Sequence, residues 1–170
     1  STPKVLQERI VVTAMFSINA EGLGYRSLNE ELRRSGELCT IFGCRGQRFI
    51  AAGMSQKAII IEGVPGNALG AYLNGASITV RGNAQDAVGD TMNSGQIVVH
   101  GSIGDAAGYA MRGGKILVKG NAGYRAGIHM KAYREKSPVM VIGGVAGSFL
   151  GEYQAGGIIL VLGLEACGKP

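Results

Sequence analysis

Three segments of the chain share a four-residue signature, with aliphatic residues at the first and third positions and a polar residue at the fourth: Ile78-Thr79-Val80-Arg81, Ile97-Val98-Val99-His100 and Ile116-Leu117-Val118-Lys119. Side chains alternate across a strand, so the aliphatic pair shares one face and the fourth residue points outward. The segments are short, rich in β-branched residues and bounded by glycine, which predicts strands rather than helical turns. They also recur at a fixed interval. Gly63, Gly82, Gly101 and Gly120 stand 19 residues apart, Gly144 follows after 24 and Gly163 after 19 more, and Gly43 opens the series 20 residues before Gly63. Seven residues past each marker from Gly63 to Gly144 stands a second glycine: Gly70, Gly89, Gly108, Gly127 and Gly151. A third falls 12 or 13 residues past the marker in most copies, at Gly75, Gly95, Gly113 with Gly114, and Gly156 with Gly157.

A unit of this length with short strands has no room for a helix and cannot bury its apolar face alone. Copies must therefore stack, each strand pairing in parallel with the next at ~4.8 Å. The predicted fold is all-β, a single-stranded right-handed parallel β-helix of about six 19-residue coils. The right hand is chosen because the six-residue aliphatic period of left-handed hexapeptide coils is missing. Ten positions past the markers lie Leu73, Met92, Met111 and Met130, an apolar column that reads as core rather than as metal or cofactor ligands. Glu62, Arg81, His100 and Lys119 form the matching outward column.

Before the coil, residues 9–18 (RIVVTAMFSI) read as an extended strand. The segment SLNEELRRSG reads as a short helix, with Ser27 as N-cap, Glu30 as capping-box partner and Gly36 as terminator. That helix is expected to cover the first coil, whose edge would otherwise expose unpaired backbone. The predicted organisation is residues 1–40 for strand and capping helix, 41–164 for the β-helix and 165–170 for a tail.

With 170 residues, 46% of them hydrophobic, the chain can bury one core. The net charge of +5 reads as spread along the chain without interleaved aromatics, which argues against nucleic acid as a partner. Cys39, Cys44 and Cys167 are odd in number and lack a C-x-x-C pair, which disfavours a disulfide framework or a zinc site. No leader and no apolar run of the ~18 residues a span needs are seen, so a cytoplasmic protein with no membrane partner is expected.

Candidate chemistry is sparse. The glycines of GNAQDAVGDTMNSG lead back to a strand rather than into a helix, unlike a dinucleotide fingerprint, and GYAMRGGKI lacks the spacing and the hydroxyl residue of a P-loop. Asp86 and Asp105 lie in one column with Asn67, Tyr124 and Ser148. Two carboxylates one coil apart can share a proton or a metal, although aspartates that cap their own turn backbone are the ordinary reading. His129 falls in line with Tyr72, Thr91, Ala110 and Tyr153, with no serine, cysteine or second histidine fixed beside it, and reads as structural. Cys44 in FGCRG has Arg45 beside it, which could lower its pKa. No catalytic, cofactor-binding or metal-binding residue is assigned.

The blocks ITVRGNAQDAVGDTMNSGQIVVHG, GGKILVKGNAGYRAGIHM and VIGGVAGSFLGEYQAGGIILVLG resemble the GXGXG domain, the C-terminal right-handed β-helix of the glutamate synthase large subunit. The resemblance runs from about Tyr25 to Gly163. The same helix occurs as a stand-alone subunit of archaeal-type glutamate synthases and related N-methylglutamate synthases, and as one of the subunits of formylmethanofuran dehydrogenase. The five extra residues within KAYREKSPV, with GIHM before them, are more similar to the stand-alone glutamate synthase type. The resemblance implies a non-catalytic structural and interaction role. Glutaminase-type amidotransferase and FMN-dependent synthase partners would form glutamate, carrying FMN and an iron–sulfur cluster, with no cofactor bound by this chain. The alternatives are a component of formylmethanofuran dehydrogenase, or a small catalyst or ligand binder using the groove between coils. The last strand, Ile158 to Leu162, is expected to offer a free edge and an apolar cross-section that includes Ile159 and Val161. Residues 158–164 are therefore expected in a homo-oligomeric or hetero-complex interface.

Overall fold

A computed structural model describes residues 15–164. Its strands are β1 (Phe16–Asn19), β2 (Leu38–Arg45), β3 (Ala58–Val64), β4 (Asn74–Val80), β5 (Ser94–Val99), β6 (Lys115–Val118), β7 (Val139–Ile142) and β8 (Ile158–Val161), with one helix, α1 (Tyr25–Arg34), between β1 and β2. All eight strands form one sheet in chain order, and every neighbouring pair is parallel. Each coil of this β-solenoid thus adds one strand to the sheet and returns through turns. The register follows the repeat, with Ile61 opposite Val80, Val80 opposite Val99 and Val99 opposite Val118. The marker glycines stack as expected. The Gly101 N–H donates to the Gly82 carbonyl, Gly120 to Gly101, Gly144 to Gly120 and Gly163 to Gly144, each at 2.9 Å.

The sheet begins one coil earlier than the glycine series. β1 pairs with β2, Ile18 opposite Ile41, and the residue standing where Gly43 stands in the next coil is Ala20, whose N–H donates to the Phe42 carbonyl at 2.8 Å. Without glycine at that place the extra coil is invisible to a glycine count. Residues 9–14 of the expected strand lie outside the described residues.

Helix α1 lies over the first coil, with Leu28 and Leu32 fully buried in the same core as the coils. Its start differs from expectation. The N-cap is Gly24, no side chain caps the first turn, and Ser27 sits inside the helix. The Tyr25 ring packs on Phe49 at 5.6 Å and the Leu28 N–H donates to the Gly24 carbonyl, so packing on the coil pulls the first turn earlier than the serine signal. At the other end Ser35 is the C-cap, its hydroxyl donating to the Leu32 carbonyl at 2.6 Å, and Gly36 makes room for the Phe16 ring. Buried Asn29 ties helix to coil, donating to the Phe49 carbonyl and accepting from the Ala51 N–H, both at 2.8 Å. Among the described residues no helix is long and apolar enough to cross a membrane.

The interior is a stack of matched residues. Leu73, Met92, Met111 and Met130 are fully buried, beside the inward strand pairs Ile78 and Val80, Ile97 and Val99, and Ile116 and Val118. At the corner facing this stack the backbone is left-handed at three alternate residues per coil, for example Ala87, Gly89 and Thr91, then Ala106, Gly108 and Ala110. Hydrogen bonding explains the alternation. The outer two amides donate to the following coil (Ala87 to the Asp105 carbonyl, Thr91 to the Tyr109 carbonyl), while the middle one donates to the preceding coil (Gly89 to the Leu69 carbonyl). One corner therefore satisfies both neighbours. From Gly70 to Gly127 the middle residue is glycine, where a Cβ would meet the core: at Gly89 it would lie 2.5 Å from Ile116 Cδ1. In the first of these corners Ala51 holds that place, left-handed and buried, its N–H donating to Asn29 Oδ1.

Left-handed backbone costs a non-glycine residue about 1 kcal/mol, and a β-branched one more. Gly89→Ala, which adds a clash to that cost, is expected to destabilise the chain by at least about 2 kcal/mol. Thr91→Gly, at the same corner but facing out, is expected to stay within about 1 kcal/mol of the parent on the stabilising side. Urea denaturation of the two variants checks both values.

Candidate functional site

The two aspartates form a ladder rather than a proton-sharing pair. Asp86 Oδ1 accepts the Asp105 N–H at 2.7 Å, Asp105 Oδ1 accepts the Tyr124 N–H at 2.8 Å, and Asn67 Oδ1 begins the series by accepting the Asp86 N–H at 3.1 Å. Each side chain caps the backbone of the next coil, not its own turn as the sequence suggests. A second ladder runs parallel: Asn83 Oδ1 accepts from Ser102 at 2.8 Å, Ser102 Oγ from Asn121 at 2.9 Å, and Asn121 Oδ1 from Val145 at 2.9 Å. These side chains lie over the glycines of the next coil. A Cβ on Gly104 would collide with Asp86 Oδ1, and one on Gly101 with Asn83 Oδ1. The marker glycines from Gly82 to Gly144 are not in the left-handed region. At Gly101, Gly120 and Gly144 a ladder oxygen takes the space a Cβ would need, whereas a Cβ on Gly82 would meet only the Gly63 carbonyl at 3.8 Å.

Sequence reasoning missed the second ladder. Its signal is the polar residue directly after the marker glycine at Asn83, Ser102 and Asn121. Together the ladders line an open groove of about 540 Å³ between Asn67 and Gly104. The Oδ1 atoms of Asp86 and Asp105 are already engaged with amides. Among the described residues no three of His, Cys, Asp and Glu converge as metal ligands would.

His129 lies on the outside of the coil, stacked on Tyr153 at 5.0 Å between ring centres and edge-on to Tyr109 at 5.7 Å. No nucleophile is brought to it among the described residues. Cys44 is buried, and desolvation pushes its thiol up from 9.0 to about 11, so the neighbouring Arg45 does not activate it. Cys39 is also buried, and its thiol is raised by desolvation against smaller opposing effects of Ser35 and Lys57. Cys167 lies outside the described residues.

Counted along the chain, the cations are not evenly spread. Residues 106–151 carry seven Lys and Arg side chains against the single carboxylate of Glu135, so the remainder of the chain is close to neutral. Two of the seven meet exposed aromatic rings, with the Arg125 guanidinium 4.9 Å from the centre of Phe149 and Arg134 at 5.2 Å from Tyr133. The Arg125–Phe149 contact joins two coils and does not stand out in the sequence, whereas Tyr133 and Arg134 are chain neighbours.

The regular coils, the glycine slots and the ladders fall within residues 33–169, which match the model of the GXGXG motif family. The chain belongs to the GXGXG motif family. It is similar to an uncharacterized protein, MJ1350, of Methanocaldococcus jannaschii, with 51% identity over 160 residues, covering 89% of this chain and 61% of that relative. The chain thus spans less than two thirds of the relative's length. No solved structure matches this chain.

Two outcomes follow from the site. Asp105→Ala removes the acceptor for the Tyr124 amide and is expected to cost about 1 kcal/mol, while Asp105→Asn keeps the acceptor and should stay near the parent in thermal melts. The raised Cys44 pKa means the folded chain holds the thiol proton more tightly than the unfolded chain does. Its contribution is full below pH 9 and is lost as pH rises toward 11, so stability should fall across that window. Denaturation followed between those pH values, in parent and Cys44→Ala, checks the sign.

Proposed function

We propose that this chain is a non-catalytic structural and interaction unit of a glutamate synthase-like complex. In this reading partner domains supply the chemistry: a glutaminase-type amidotransferase releases ammonia, and an FMN-dependent synthase bearing an iron–sulfur cluster uses it to form glutamate. One observation carries the reading beyond family membership. The polar side chains that the repeat lines up, Asn83, Asp86, Ser102, Asp105 and Asn121, are engaged in bonds between coils rather than converging on a reacting centre. A rigid stack with its polar columns so engaged offers surface, which is what a scaffold contributes.

The contact with partner domains is assigned to the C-terminal end. β8 pairs only with β7 among the described strands, and its outward residues Ile158 and Leu160 are 58% and 49% exposed, continued by Leu162 and Leu164. Ile159 and Val161 point instead toward the core, packed against it and half-buried. Leu160 is therefore the better probe of the contact.

Co-expression with a flavin-bearing synthase subunit and a glutaminase subunit tests the reading. The three should co-elute in fixed ratio, and the chain purified alone should carry no flavin and release no ammonia from glutamine. Leu160→Lys should reduce co-elution at least about tenfold, the effect of placing an unpaired charge in an apolar contact, with the melting of the lone chain unchanged. Stoichiometric flavin on the lone chain, or glutaminase activity from it, would overturn the proposal.

A further inference from the structure

The outward corner column Tyr72, Thr91, Ala110, His129 and Tyr153 has one gap. Every member has a left-handed backbone and points its side chain away from the core, yet at Ala110 there is almost no side chain. The gap opens into a notch of about 350 Å³. Ala110 and Ala155 form its floor, and the rings of Tyr109, His129 and Tyr153 wall it. Arg112 and Lys131, which complete the lining, occupy the same position in consecutive coils, the Lys131 N–H donating to the Met111 carbonyl at 3.1 Å. They are held roughly one strand spacing, ~4.8 Å, apart at the backbone.

Two exposed cations carried on neighbouring backbones repel one another, screened in part by solvent, and an anion between them removes that repulsion. Among the described residues the one ion pair is Arg81–Glu62, elsewhere on the coil, and neither Arg112 nor Lys131 makes a side-chain hydrogen bond to protein. Neither Glu135, four residues from Lys131, nor Glu152, beside Tyr153, lines the notch; the Glu152 backbone carbonyl takes the His129 N–H. Arginine offers a planar fork to paired oxygens, and lysine adds a point charge.

We propose that this notch binds a compact dianion, a phosphoryl group or a short dicarboxylate, held by Arg112 and Lys131 over the alanine floor. The site is independent of the scaffold role and is built from the side chains that differ between coils. Its class of ligand follows from charge and size: two cations carried on backbones one strand spacing apart, lining a notch of about 350 Å³.

The test is titration of the isotopically labelled full chain with inorganic phosphate and, separately, with succinate, at constant ionic strength set by chloride. The His129 and Tyr109 ring signals report occupancy by NMR. At least one anion is expected to give saturable shifts. Saturation by phosphate alone assigns a phosphoryl ligand, and by succinate alone a dicarboxylate. Ala110→Tyr fills the notch without changing charge, and tyrosine is already accommodated at the same corner position at Tyr72 and Tyr153. It should weaken binding at least about tenfold, as should Arg112→Ala with Lys131→Ala, the loss expected for a charge-assisted hydrogen bond. Linear shifts with both anions would overturn the proposal. So would an Ala110→Tyr variant that binds as well as the parent, since the attraction would then be surface charge alone.

Discussion

Everything in this molecule depends on coil-to-coil hydrogen bonding that continues around the corners as well as along the sheet. In the strands the bonding is an ordinary parallel ladder. At the corners a single turn must serve the coil on either side, and it does so by alternating the direction of its amides. Ala106 and Ala110 donate forward, to the carbonyls of Tyr124 and Ile128, while Gly108 donates back to Val88. That alternation requires left-handed backbone at residues that are not glycine, a cost of about 1 kcal/mol each. An unmet buried amide would cost as much or more, so the strained geometry wins.

The side-chain ladders extend the same logic to the outer corner, where asparagine, serine and aspartate stand in for backbone carbonyls. They explain why the repeat needs glycine where no unusual backbone angle demands it. Gly101 and Gly120 are spaces for the oxygens of Asn83 and Ser102. Asp86 and Asp105 each give one carboxylate oxygen to an amide of the next coil, and other outward positions differ from one coil to the next. The gap at Ala110, the pair Arg112 and Lys131, and the apolar end of β8 are all of that kind.

Much of the fold was legible because strands have a period of two and the glycines mark equal lengths of chain. The strand registers, the methionine column and the stacked markers follow from those two facts. Features that depend on which neighbour an atom faces were not legible. A sequence gives the position of Asp86 in a column, but the direction of its carboxylate depends on the empty space over Gly104. The serine signal for the helix start failed because Tyr25 and Phe49, far apart in the chain, pack together and begin the helix at Gly24. The first coil was missed because Ala20 takes the glycine place, and the notch at Ala110 because its lining comes from separate coils.

The claim that the corners are hydrogen-bonded as fully as the strands is open to direct measurement by native-state amide hydrogen exchange. The account predicts that the amides of Asp105, Ala106, Gly108 and Tyr124 exchange as slowly as those of Ile97 and Val99 in β5, in one cooperative unit. Corner amides that exchange at the rate of ordinary surface loops, while the β5 amides stay protected, would contradict it.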